Sequence, residues 1–232
     1  VIAFYALNKI GAISNLIDVR KSEKDIEFCI NDVNSKMILV YDKLLPLVEK
    51  IKGNTSLERV VAVSPLASLT KYKQIIAKLV DLIKNQSFNS KLKEMNWEDF
   101  IQYGNFGKIA EKAKYYLNRV AFITYTSGTT GFPKPVKLSN DTANGRVNQY
   151  MHNGMIHERQ DVYLDIIPIF IAFGAIVGIH LPLCMGMKDE LIPAFKESKV
   201  CKIFKKLKPQ HVTLTPPSFV KLVNDPSFNK FD

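Results

Sequence analysis

Cysteine is scarce in this chain: Cys29, Cys184 and Cys201 are the only three in 232 residues, odd in number and far apart. They fit neither a disulfide framework nor a zinc site, and they point to a reducing, cytoplasmic setting. Arginine is sparse too, with five against 27 lysines. Arginine is the usual reader of base edges and phosphates, and no aromatic-and-basic RNA-binding module accompanies the lysines. Nucleic acid is therefore not an expected partner. With 11 glycines and 11 prolines the composition excludes collagen and low-complexity disorder. The chain lacks an initial methionine, and Val1-Ile2-Ala3-Phe4-Tyr5 carries no charged leader or small-residue cleavage site. A secretory signal is not expected, and the chain reads as a piece of a longer one.

What is present is a globular composition, 47% hydrophobic and 23% charged, long enough to bury a core without staples. The net charge of +10 is spread over helix faces, reads mainly as solvation, and suits anionic small ligands such as nucleotides. Residues 166–187 carry no formal charge unless His180 protonates, a length that could span a bilayer. Pro168, Pro182, Gly174, Gly178 and Gly186 interrupt it, so a buried strand, a turn and a core helix are expected instead.

Helix and strand signals alternate. A helix over 3–10 closes at Gly11, and a strand follows over 12–18. Ser22 and Asp25 resemble a capping box for a helix that buries Ile26, Cys29 and Ile30. Residues 37–41 form a continuous apolar run, the mark of a strand covered on both sides. A helix at 43–52 leads to a strand at 59–63. Between 64 and 114, Leu69, Tyr72, Ile75, Ile76, Leu79, Val80 and Ile83 recur at helical spacing beside several lysines. This basic amphipathic helix could touch a membrane surface, but packing on its own domain is the expectation. Trp97, Phe100 and Ile101 read as an anchor onto the core.

Strands are then expected at 120–125, 162–167, 191–192 and 212–215. Helices are expected from 141 (capped by Ser139 or Asn140), over 173–184, around Val200, Ile203, Phe204 and Leu207, and from Pro216-Pro217. Lys199, Lys202 and Lys206 face solvent. Alternating strands and helices argue for a layered α/β fold. A first lobe is expected over 1–138 and a second over 141–232.

The most informative stretch is Tyr125-Thr126-Ser127-Gly128-Thr129-Thr130-Gly131-Phe132-Pro133-Lys134. A strand runs directly into two glycines, several hydroxyls and a lysine. Glycines bring backbone N–H groups close to an anion, hydroxyls add donors and a possible metal contact, and Lys134 adds positive charge. Such a loop can cradle a polyphosphate, although it lacks the Walker spacing. A plain surface turn is the less favoured alternative.

Residues 126–134 resemble the phosphate-binding signature of the adenylate-forming (AMP-binding) superfamily, which includes acyl-CoA synthetases, luciferases and adenylation domains of peptide synthetases. Ala6-Leu7-Asn8-Lys9-Ile10-Gly11-Ala12 is similar to an early helix of that family. Pro168-Ile169-Phe170-Ile171-Ala172-Phe173-Gly174 resembles the segment lining its carboxylate pocket, and residues 212–216 a later pocket strand. The resemblance spans the chain in the family's order and implies two α/β lobes that form part of the large N-terminal domain.

It further implies ATP-dependent activation of a carboxylate as an acyl-adenylate, passed to a thiol, coenzyme A or a carrier's pantetheine. Thr126, Ser127, Gly128, Thr129, Thr130, Gly131 and Lys134 would hold the phosphates, with Thr129 contacting Mg²⁺ and Thr129 and Lys134 serving the chemistry. Phe170, Ile171, Phe173 and Gly174 would line the acyl pocket. Two departures stand out: Pro135 replaces the usual glycine after the lysine, and Ile171 replaces a histidine common in acyl-CoA synthetases. The family's later acidic, ribose-binding, hinge and C-terminal lysine motifs have no counterpart here, so this stretch alone is expected to be inactive. Rival readings are an amino-acid adenylation module and a non-catalytic nucleotide-binding relative. His152, His157, His180 and His211 lack metal-ligand spacing and read as structural. Asp161 and Asp165 read as solvated strand-end charges rather than as a catalytic pair.

Overall fold

The computed structural model describes residues 1–64, 94–105, 109–127, 132–154, 156–192, 195, 199–226 and 228. Helix α1 (Ile2–Lys9) stops at Gly11, whose φ of +81° favours glycine and whose Cβ would lie 2.9 Å from that of Ala113. Strand β1 (Ser14–Asn15) is only two residues, well short of the expected stretch. Helix α2 (Glu23–Asp32) starts as expected, with Ser22 Oγ accepting the Asp25 N–H at 3.2 Å. Then come β2 (Met37–Tyr41), a 3₁₀ turn (Asp42–Leu44), α3 (Leu45–Lys52) and β3 (Arg59–Val63). The amphipathic helix expected from Leu69 to Ile83 lies outside the described residues. Strand β4 (Met95–Asn96) and helix α4 (Trp97–Asn105) follow it.

Strand β5 (Val120–Thr126) turns back as β6 (Lys134–Ser139), a strand the sequence reading missed, and β6 passes straight into α5 (Asn140–Met151). Of the two expected caps Ser139 is the one used: its Oγ accepts the Thr142 N–H at 3.1 Å. Beyond β7 (Val162–Asp165), a π-helical segment (Gly174–His180) continues as α6 (Leu181–Met185), which Gly186 ends in the left-handed region. The change of helix type falls beside Pro182, whose missing N–H leaves the carbonyl one turn back without its α-helical donor. Strand β8 (Lys188–Leu191), helix α7 (Val200–Leu207), strand β9 (His211–Thr213) and helix α8 (Pro216–Asn224) complete the described order. Among the described residues no helix is long and apolar enough to cross a membrane.

Contacts divide the chain into residues 19–111 and residues 1–18 with 112–232. This grouping differs from the lobe boundary expected between Leu138 and Asp141. At that boundary Ser139 both ends β6 and caps α5. The 19–111 unit holds a parallel sheet in the order β2-β3-β4. Its buried residues include Ile30, Val48, Ile51, Val60 and Val61. Within β2, at an edge of its sheet among the described residues, only Val40 is buried, so it is not the doubly covered strand expected. The rings of Trp97 and Phe100 lie 5.9 Å apart, but Ile101 is exposed and takes no part in the expected anchor.

The other unit carries two sheets, β1-β5-β6, mixed, and β8-β7-β9, parallel. Phe4, Phe122, Val147, Ile176 and Leu181 belong to one core cluster, in which the rings of Phe4 and Phe122 meet edge-on at 5.3 Å. A second cluster joins Val200, Cys201, Leu214 and Leu222. The architecture is α/β, as the alternation of signals implied.

Candidate functional site

Strand β5 is buried from Ala121 to Thr124 and reaches the surface at Thr126 and Ser127, both exposed. Its β-rich run (Val-Ala-Phe-Ile-Thr-Tyr-Thr) suits a strand between two neighbours. The antiparallel register sets Thr124 opposite Val136, Tyr125 opposite Pro135 and Thr126 opposite Lys134. A hydroxyl and an ammonium side chain thus stand at the two ends of the candidate loop, on neighbouring strands about 5 Å apart. Gly128, Thr129, Thr130 and Gly131 lie outside the described residues. Lys134 is exposed and its side chain makes no ion pair or hydrogen bond among the described residues, which leaves its charge available to an anion. Pro135 lies on β6, an edge of its sheet among the described residues, where a missing N–H is tolerated.

The residues expected to line an acyl pocket form a second group, on the connection from β7 to the π-helical segment. Phe170 is half-buried, Ile171 and Phe173 are about two-fifths exposed at 42% and 43%, and Gly174 is buried. Gly174 is set by packing: a Cβ there would lie 2.2 Å from the Pro168 carbonyl oxygen. The Ile171 N–H donates to that same carbonyl at 3.1 Å, and the Ala175 N–H donates to the Ile171 carbonyl at 2.9 Å. The turn that presents Phe170 and Ile171 is therefore closed on both sides.

Asp165 corrects an expectation. It is not a solvated strand-end charge but only 2% exposed. Room for it comes from Gly178, where a Cβ would lie 2.5 Å from Asp165 Oδ2. Its Oδ1 accepts the Ile167 N–H at 2.8 Å, while Oδ2 is buried without a hydrogen-bond partner among the described residues. Burial pushes its pKa up to about 6, against the effect of the Ile167 N–H. Asp189 on β8 pairs in register with Tyr163, two residues before Asp165, so the two carboxyls share one sheet face. Burial, followed by the charges of Asp165 and Glu190, pushes Asp189 up to about 7. Sequence reading missed this pair, because Asp189 stands between Lys188 and Glu190 and reads as part of a solvated charged run.

Tyr5 and His180, also missed, link three helical elements. The Tyr5 hydroxyl lies 3.0 Å from His180 Nδ1, and Nε2 lies 3.0 Å from Asn144 Oδ1. An amide oxygen only accepts, so Nε2 carries the proton and the Tyr5 O–H donates to Nδ1. Burial lowers the His180 pKa and, with Cys184 and Asp189, raises that of Tyr5 to about 12. A cavity of about 20 Å³, enough for one water, adjoins Tyr5, Asn8, Asn140 and His180. The other histidines are held locally. His152 Nδ1 lies 2.8 Å from the Asn148 carbonyl, His211 Nε2 lies 2.7 Å from Asp161 Oδ2, and the His157 and His211 rings are 5.2 Å apart. The Glu158 N–H and His211 hold Asp161 below the usual carboxylate range. No group of three or more His, Cys, Asp or Glu among the described residues is placed to hold a metal ion.

The family described as "AMP-binding enzyme" matches residues 1–232. A long-chain-fatty-acid–CoA ligase of Bacillus subtilis is 23% identical over 244 residues, covering 100% of this chain and 42% of the relative. A probable 4-coumarate–CoA ligase of Dictyostelium discoideum is 24% identical, covering 99% and 40%. The crystal structure of the anthranilate CoA ligase AuaEII with anthranoyl-AMP aligns with a TM-score of 0.78 at 20% identity, over 99% of this chain and 40% of that one. At that identity the likeness is one of fold. The chain spans less than half the length of these relatives.

Proposed function

The chain belongs to the AMP-binding enzyme family, and from that premise we propose that it is part of an ATP-dependent acid–thiol ligase. A carboxylate oxygen attacks the α-phosphorus of ATP, the bond to the bridging oxygen breaks, and pyrophosphate leaves with that electron pair. The acyl-adenylate then loses AMP to a thiol, which gives up its proton and takes the acyl group. Coenzyme A is the proposed thiol, supported by the CoA ligases among the relatives.

The observation that carries this reading is the β5–β6 register, which sets Thr126 opposite Lys134 at the ends of the hydroxyl-rich loop. Fixed donors aimed at developing charge on a leaving pyrophosphate are what such a step needs. Thr126, Ser127, Gly128, Thr129, Thr130 and Gly131 hold the β- and γ-phosphates in this proposal, and Lys134 neutralises charge at the exit. Thr129 would be the protein contact for Mg²⁺, since a hydroxyl oxygen suits a hard cation, and the ion would offset phosphate charge. Phe170, Ile171, Phe173 and Gly174 line the acyl side. With isoleucine at 171 this lining cannot hydrogen-bond there, which favours an apolar acid.

The test is pyrophosphate release by the full-length protein with ATP and a panel of fatty and aromatic acids. Release that requires an acid is expected; none with any acid, alongside retained ATP binding, would point to a non-catalytic relative. Lys134→Ala should weaken ATP binding about tenfold, the scale of one charge-assisted contact to phosphate. Unchanged affinity would remove Lys134 from the site.

A further inference from the structure

Asp165 is a buried carboxyl to which the proposed chemistry assigns no role. It sits at the carboxyl end of β7, the middle strand of β8-β7-β9, where open α/β sheets place their ligand-binding connections. The next residues are the turn that carries Phe170 and Ile171. Three bonds hold the start of that turn. Asp165 Oδ1 accepts the Ile167 N–H at 2.8 Å, the Asp165 carbonyl accepts the Ile192 N–H at 2.9 Å, and the Pro168 carbonyl accepts the Ile171 N–H at 3.1 Å. Only the first depends on a side chain. The opposite wall is equally close, because a Cβ on Gly178 would stand 2.5 Å from Asp165 Oδ2. A carboxyl costs free energy when buried, and an alanine here would leave the Ile167 N–H without this acceptor. Its presence calls for a positional reason.

We propose that Asp165 is a positioning residue for the acyl segment: its carboxyl, wedged against Gly178 and bonded to the Ile167 N–H, fixes the backbone that presents Phe170 and Ile171 to the acid. It sets affinity for the acid without touching the acid or the nucleotide. This rests on the acyl-segment reading above. The prediction is a selective one. Loosening residues 166–171 blurs the acid's surface but leaves the Thr126–Lys134 hairpin, on a different sheet, unaltered.

Two measurements on the full-length protein decide the matter. Hydrogen exchange at the Ile167 amide, followed by mass spectrometry or NMR, should be slow in the wild type. It should be faster in Asp165→Ala by at least about tenfold, the scale of losing one buried acceptor. In Asp165→Asn it should stay near wild type, because the amide oxygen still accepts. In parallel, the KM for the acid should rise about tenfold or more in Asp165→Ala, with the KM for ATP within about twofold, and Asp165→Asn should restore the acid KM. Exchange at Ile167 that is unaltered in Asp165→Ala would overturn the proposal. So would a rise in both KM values together, or an acid KM that Asn fails to restore. If the wild type releases no pyrophosphate with any acid, the ligase reading falls, while the exchange result still decides whether Asp165 holds the turn.

Discussion

Tyr5 and Gly178 act through single contacts, so each can be tested by one atom. Removing the Tyr5 hydroxyl in Tyr5→Phe takes the close donor from His180 Nδ1 and leaves that half-buried nitrogen only the weaker Cys184 Sγ, 3.7 Å away. A loss of about 1 kcal/mol in urea unfolding is expected, and no loss would show that the bond is replaced by water. Adding one carbon in Gly178→Ala drives a methyl into the Asp165 carboxyl, which should destabilise by about 1–3 kcal/mol. Gly145 is the contrast. It lies on the exposed side of α5 with nothing within 4 Å of its would-be Cβ, so Gly145→Ala should stabilise by about 0.5–1 kcal/mol. The two substitutions are chemically identical, and opposite signs in one melting series are the expected result.

At the level of elements, the caps are the clearest link from residue type to structure. Ser139→Ala removes the acceptor for the Thr142 N–H and should cost α5 about 1 kcal/mol, read from the urea midpoint. Asn140→Ala, outside the cap position, should not reproduce that loss through capping. Ser22, Ser139 and the proline start of α8 were legible because a cap depends on one side chain and its near neighbours. So was the strand leading into the hydroxyl-rich loop. Strand β6 was not legible: Pro135 reads as a strand breaker, and only Val136 and Leu138 hint at alternation. Its pairing is decided by β5, which local sequence does not record. The same holds for Asp165, whose burial depends on a glycine thirteen positions later, and for Tyr5 and His180, 175 residues apart.

For the whole molecule, the two raised carboxyls leave a signature in pH. Asp165 at about 6 and Asp189 at about 7 bind protons more tightly folded than unfolded, where aspartate titrates near 3.9. Their contribution to stability is therefore fully present below about pH 4 and is lost as pH rises through 6 to 7. Asp165→Asn removes one of the two titrations and their mutual repulsion. The unfolding free energy of that variant should gain on the wild type as pH rises from about 4 to about 7, by an amount on the order of 1–3 kcal/mol. A gap that stays constant with pH would show that Asp165 does not titrate as a buried carboxyl in solution.

The facing of Thr126 and Lys134 across one antiparallel pair has a further consequence. The two ends of the intervening segment are already tethered before any guest arrives, so binding does not have to meet the entropy of closing a ring. Affinity at that segment then depends on the integrity of a ladder several residues away. If that segment holds the phosphates of ATP as proposed, a change that frays β6 at Val136 or Lys137 should be felt as weaker capture of a triphosphate, although neither side chain need come near it.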